Sequence, residues 1–141
     1  MFQPRNFPSD PELIAFGKNV MVASDVSFIT HDITSAMINR KYGEPLCKPW
    51  GGVIKIGDNV MIGAKTIILP DVKIGNNVVI AAGSIVSKDI PDNSVVGGVP
   101  AKVIGDFDSL VNKRKKIQLS LRDDPELLWS AFEETRKDLN S

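Results

Sequence analysis

Aliphatic residues recur at every sixth position from Ile56 onward, and the chain reads IGDNVM, IGAKTI, ILPDVK, IGNNVV, IAAGSI, VSKDIP. Positions 56, 62, 68, 74, 80 and 86 are all Ile or Val. The fifth residue of each hexad (Val60, Thr66, Val72, Val78, Ser84, Ile90) is small or aliphatic. Such a run arises by chance on the order of once in a few thousand. A period of 3.6 does not fit, glycines at 57, 63 and 75 would weaken a helix, and an alternation of two fails as well. Period six predicts a triangular coil in which three short strands make one turn of 18 residues. Successive turns then stack at ~4.8 Å. Ile56 is expected under Ile74, Ile62 under Ile80 and Ile68 under Val86, with Gly and Asn forming tight corners.

The same phase appears in FGKNVM, VASDVS and FITHDI, which predicts one further coil over 16–33 with Phe16, Val22 and Phe28 inward. The segment from 34 to 55 interrupts it and carries Gly43, Pro45, Pro49, Gly51 and Gly52. It reads as a protruding loop, about 34–53, with Ile54 rejoining the coil. Repeat architectures place such insertions on the functional face. The coil closes near DNSVVGGVPAKVIG, where Asp92 falls at an inward position and so suits an end. Residues 106–141 change character. Asp124, Pro125 and Glu126 form a helix start, and Leu128, Phe132 and Leu139 follow at roughly helical spacing. They predict a C-terminal helix of about four turns. NKRKKIQ, ahead of it, reads as a solvated helix face or linker.

At 141 residues the chain has room for one domain and an appendage. Its 17 basic and 17 acidic residues cancel, which gives no sign of nucleic-acid binding. No apolar run approaches the ~20 residues of a membrane span, so no membrane insertion is expected. The start, MFQPRNFPSDPEL, lacks the features of a signal peptide, and Cys47 is the single cysteine. A cytoplasmic protein is the expectation.

The hexads, the interrupting loop and the closing VVGGVPAKVI resemble the hexapeptide-repeat acyltransferases. The similarity is greatest to the galactoside, maltose and capsular or O-antigen O-acetyltransferases, over Phe16 to Ile104. The resemblance implies an all-β solenoid, a left-handed parallel β-helix of about four coils, with a C-terminal α-helical tail. The acyltransferase domain would span 1–105 and the helical extension 106–141. The resemblance also implies a homotrimer with acetyl-CoA in a groove between neighbouring subunits. Met61 stands where these relatives carry a tryptophan, and their extra N-terminal elements have no counterpart before Phe16 beyond MFQPRNFPSDPEL.

His31, the only histidine, lies at the last corner before the loop. A hydroxyl acceptor needs something to take its proton, and imidazole titrates in the range that suits this. The resemblance makes His31 the general base that deprotonates the acceptor as it attacks the thioester in a ternary complex. Asp32 occupies a fifth position whose counterparts are Val72 and Ile90. A charge in that column points to capping of the loop or to support of His31. By resemblance, Ala64 is a cofactor-binding position, the Ala82 amide contacts the pantetheine arm, Ser87 and Lys88 the far end of CoA, and Lys102 the nucleotide phosphates. The acceptor is read from the loop alone, where Asn39, Arg40, Lys41, Tyr42, Glu44 and Trp50 are candidates. No metal is expected, because one histidine per chain leaves only a zinc site on the threefold axis itself, and there is no HxxxxH spacing. Three functions compete: O-acetylation of a sugar or polysaccharide-precursor hydroxyl, N-acetylation of an amino sugar or nucleotide sugar, and a non-catalytic β-helix scaffold.

Overall fold

Short strands of two or three residues cannot hold themselves together; here each is paired in parallel with its equivalent one turn along the chain. The computed structural model describes residues 7–140. Expectations for residues 1–6 lie outside the described residues. The first sheet contains β1 (Ile14–Phe16), β4 (Ile54–Ile56) and β7 (Val72–Ile74). The third contains β3 (Ser27–Phe28), β6 (Ile67–Ile68) and β9 (Ile85–Val86). The second sheet runs through β2 (Val20–Val22), β5 (Val60–Ile62), β8 (Val78–Ile80) and β10 (Ser94–Gly97). It ends on β11 (Lys102–Asp106), which turns back antiparallel to β10, a pairing outside the six-residue pattern. The chain visits the three sheets in order on every turn, leaving three edges between them.

The register follows the hexads. Ile56 pairs with Ile74, Ile62 with Ile80 and Ile68 with Val86. These side chains form the core, none more than 2% exposed. Thr66, Ser84 and Ser94 are polar members of the inner columns; the first two hydroxyls reach the Ala81 carbonyl and the third that of Asp92. Satisfied in this way, they cost little in an otherwise aliphatic interior.

The first edge shows why the turns tolerate left-handed backbone. Asn19, Asn59, Asn77 and Asn93 all have φ between 54° and 57°. Their side-chain amides bond one to the next along the stack. Asparagine is among the few side chains that adopt this conformation readily.

Three expectations about the coil change. Phe16 is 38% exposed, with no coil among the described residues ahead of the first one to cover it. Phe7 instead packs across that end, with ring centroids 6.3 Å from Phe16 and 5.7 Å from Phe28. Asp92 does not point inward. The turn after β9 is shortened, so Ile90 pairs with Ile74 and the offset falls from 18 to 16 residues. Asp92 therefore lands on the first edge, where its carboxylate accepts from Asn76 N at 2.7 Å. Asp32, finally, does not share a column with Val72. Ile14 and Ile54 hold that place, and the chain leaves the coil before Asp32 can enter it.

The predicted loop contains a helix, α1 (Thr34–Tyr42), which buries none of its side chains and ends on left-handed Gly43. Its return segment is fixed by Asn39, whose amide both donates to Cys47 O and accepts from Cys47 N. Ile54 rejoins the coil opposite Ile14.

The chain divides into two compact units, Met1–Leu110 and Val111–Ser141, and α2 (Phe107–Lys115) spans the division. In the second unit α3 (Pro125–Glu134) starts as expected, with the Asp124 carboxylate accepting from Glu126 N. At 10 residues it has about three turns rather than four. The chain passes at Thr135 into a 3-10 turn, so Leu139 is not on the helix. Among the described residues no helix is long and apolar enough to cross a membrane.

Candidate active site

His31 sits on the edge between the third and first sheets, at the point where the chain leaves the coil. The exit and return are stapled there: His31 bridges Gly51 antiparallel, and Gly52 N donates to Thr30 O at 2.7 Å. A Cβ on Gly52 would lie 2.7 Å from Asp71 N, so the close return needs glycine. The site is thus held by the coil on one side and opens to solvent on the other, leaving the His31 side chain 49% exposed.

Its orientation comes from a residue that pattern analysis did not single out. Asp10 lies in the segment leading into the first coil, and its Oδ2 is 3.2 Å from His31 Nδ1. Buried Thr30 donates its hydroxyl to Asp10 Oδ1 at 2.6 Å, and Thr30 Oγ1 is also 3.2 Å from Nδ1. Two acceptors facing Nδ1 favour the tautomer with its proton there, which leaves the Nε2 lone pair free. The Thr30 hydroxyl holds the Asp10 carboxyl below its ordinary value; the His31 imidazole acts the same way, against partial desolvation. Asp10 is therefore ionised below the usual carboxylate range. Its share of stability is present above that range and is lost only as pH falls through the lowered value.

Asp10→Asn tests this arrangement. The amide keeps the shape, but it cannot serve both Thr30 and Nδ1–H as a carboxylate does. Turnover is expected to fall roughly 10²-fold, less than on losing the imidazole itself. KM should stay within twofold, and the acid-side contribution to stability should vanish. A rise in KM with unchanged turnover would assign Asp10 to binding instead.

Asp32, next in the chain, turns away from His31 and accepts from Thr34 N at 2.9 Å, at the start of α1. Arg40, Lys41, Tyr42, Glu44 and Trp50 are exposed on the excursion, and the Lys41 ammonium is 5.1 Å from the Tyr42 ring centroid. Asn39 is engaged with Cys47. Among the described residues no cluster of three or more His, Cys, Asp or Glu side chains could hold a metal ion.

The residues assigned to the co-substrate do not all share the edge of His31. Ser87 and Lys88 follow β9 and lie on it, both two turns along the stack from His31. Ala64 and Ala82 lie on a different edge, between the second and third sheets, and Lys102 opens β11. Gly83 N donates to Ala64 O and Lys65 N to Ser24 O. The amides of Ala64 and Ala82 make no hydrogen bond with any described residue. Two unbonded donors one turn apart are thus available to a ligand lying along that edge.

The bacterial transferase hexapeptide (six repeats) profile matches residues 54–88. The chain is 47% identical over 107 residues to protein CapG of Staphylococcus aureus, covering 76% of this chain and 60% of that one. A maltose O-acetyltransferase from Clostridium difficile 630 superposes with a TM-score of 0.57 at 46% identity, over 67% of this chain and 48% of that chain. A galactoside acetyltransferase in complex with coenzyme A does so with a TM-score of 0.59 at 37% identity, over 79% and 52%. The chain thus spans about half to three fifths of the length of these relatives.

Proposed function

We propose that this chain, a relative of the hexapeptide-repeat acetyltransferases, is an acetyl-CoA-dependent O-acetyltransferase that modifies a sugar or polysaccharide-precursor hydroxyl. The observation that carries the reading is a solvent-facing imidazole whose Nδ1 is held by Asp10 and Thr30, leaving Nε2 free to accept a proton. The galactoside acetyltransferase relative, solved with coenzyme A, supports the co-substrate. So do the unpartnered amides of Ala64 and Ala82, which fit the amide carbonyls of a pantetheine arm. Lys88 and Lys102 would meet phosphate as point charges. Acetyl-CoA supplies the activated acetyl thioester. His31 Nε2 takes the acceptor's hydroxyl proton as the hydroxyl oxygen bonds to the acetyl carbon; the carbon–sulfur bond breaks, and the proton passes to the departing thiolate.

The fold in this reading is a left-handed parallel β-helix, with an acyltransferase domain over 1–105 and a helical extension over 106–141. The protein works as a homotrimer in the cytoplasm, where acetyl-CoA is made. His31 and the Ala64–Ala82 pair occupy different edges of one chain, so a site using both needs the edge of a second copy. Outward apolar side chains on the second sheet (Met21, Met61, Val79) and the third (Ile67, Ile85) support such contacts. Incubation with acetyl-CoA and a panel of mono- and oligosaccharides, read by free-thiol release and by the mass of the product, tests the activity. Acetylation at a hydroxyl is expected. Acetylation confined to amino groups would move the reaction to N-acetyl transfer, and no thiol release with any acceptor would remove it.

A further inference from the structure

The three sheets differ on their outward sides. The second and third present Met, Val and Ile, whereas the first presents Ala15, Lys55 and Lys73 in one column. Lys55 and Lys73 are directly opposed in the register, a like-charge pairing that costs stability. Neither ammonium makes a hydrogen bond or ion pair with any described residue, although two carboxylates are near. Asp89 is engaged through the backbone, accepting from Lys73 N at 2.8 Å, and Asp71 is held in left-handed backbone at φ 62°. Together with Val53 and Val72 these four residues line an open cleft of about 310 Å³. That is at the lower end of the range for small-molecule sites.

The cleft lies beside the edge that carries His31. Val53 follows Gly51 and Gly52, the residues stapled to His31 and Thr30. From there the cleft descends the coil by way of Lys55 to Lys73, in steps of ~4.8 Å. Two ammoniums and two carboxylates make its lining neutral overall. A polyanion such as the diphosphate of a nucleotide would meet as much repulsion as attraction there. A neutral polyhydroxyl chain can donate to the carboxylates and accept from the ammoniums. The rise per turn is also comparable with the advance of one sugar unit in an extended glycan.

We infer that the Lys55–Lys73 cleft, with Asp71 and Asp89, is a subsite for the second and later sugar units of an oligosaccharide acceptor whose first unit is acetylated at His31. This rests on the acetyltransferase reading above and narrows its substrate class from single sugars to extended glycans.

The test compares methyl glycosides with the corresponding di- and trisaccharides as acceptors for the wild-type protein, Lys55→Ala, Lys73→Ala and Asp71→Asn. The wild type is expected to favour the longer acceptors by about tenfold or more in kcat/KM. Each substitution should raise the KM for trisaccharides about tenfold. The KM values for methyl glycosides and acetyl-CoA should be unchanged. No preference for length in the wild type would overturn the inference. So would a rise in the acetyl-CoA KM with unchanged oligosaccharide KM, which would give the cleft to the co-substrate. Saturation-transfer NMR with the same trisaccharides separates the two readings. Binding that Lys73→Ala abolishes, in a protein without turnover, upholds the cleft and sinks the acetyltransferase. Turnover of methyl glycosides with no trisaccharide binding does the reverse.

Discussion

His31→Ala is expected to lower turnover by ~10²–10⁴-fold while acetyl-CoA affinity, measured by calorimetry, stays within about twofold. The chain holds no second imidazole, and the nearest other proton acceptor is the Asp10 carboxylate. Asp10 is poorly suited to replace it, because the Thr30 hydrogen bond lowers its pKa and so makes it a weaker base than a free carboxylate. Affinity should survive because the free amides at Ala64 and Ala82 lie on another edge of the coil. Stability should survive too. The side chain is 49% exposed, so its truncation leaves no cavity, and a change within roughly 0.5 kcal/mol is expected. Near-normal turnover in a folded His31→Ala protein would remove the imidazole from the chemistry.

The repeating parts of this molecule are legible residue by residue, whereas the parts that do not repeat are legible only where a local signal marks them, as Asp124 and Pro125 mark the start of α3. The sixth-residue aliphatics gave the register from Ile56 to Val86 residue by residue, because stacking allows only one phase to bury them all. Asp92 escaped because a shortened turn after Val86 changes the phase without leaving a mark in composition. Helix α1 escaped for a different reason. It buries nothing, so no apolar stripe betrays it, and its order comes from Gly43 and the Asn39–Cys47 pairing. His31 stood out by its rarity and by its place before the interruption. Asp10 did not, since its contact spans 21 residues of chain and the SDPEL segment around it has no period. Its one advance signal was an unassigned acid just ahead of the first coil, which is too common to act on. Ala64 and Ala82 came only from resemblance. Free backbone donors leave no trace in side-chain identity.

That legibility can itself be put to the test at the middle of the stack. Ile62 is fully buried and lies between Val22 of the coil before and Ile80 of the coil after. Ile62→Asp would place a carboxylate among aliphatic side chains with no donor to meet it. The cost is several kcal/mol, comparable with the whole stability of a domain this size. Protonation relieves only part of that, because a neutral carboxyl still needs partners. The expected outcome is an unfolded or aggregated protein without strand signal in circular dichroism or a cooperative melting transition. Met61→Asp, one residue earlier on the outward side of the same strand, should keep the strand signal and lose only the subunit contacts proposed for that face. The pair of variants differs only in which side of the sheet takes the charge, so the contrast reads the register itself. A folded Ile62→Asp protein beside an unfolded Met61→Asp one would reverse the inward and outward assignment and, with it, every column of the coil.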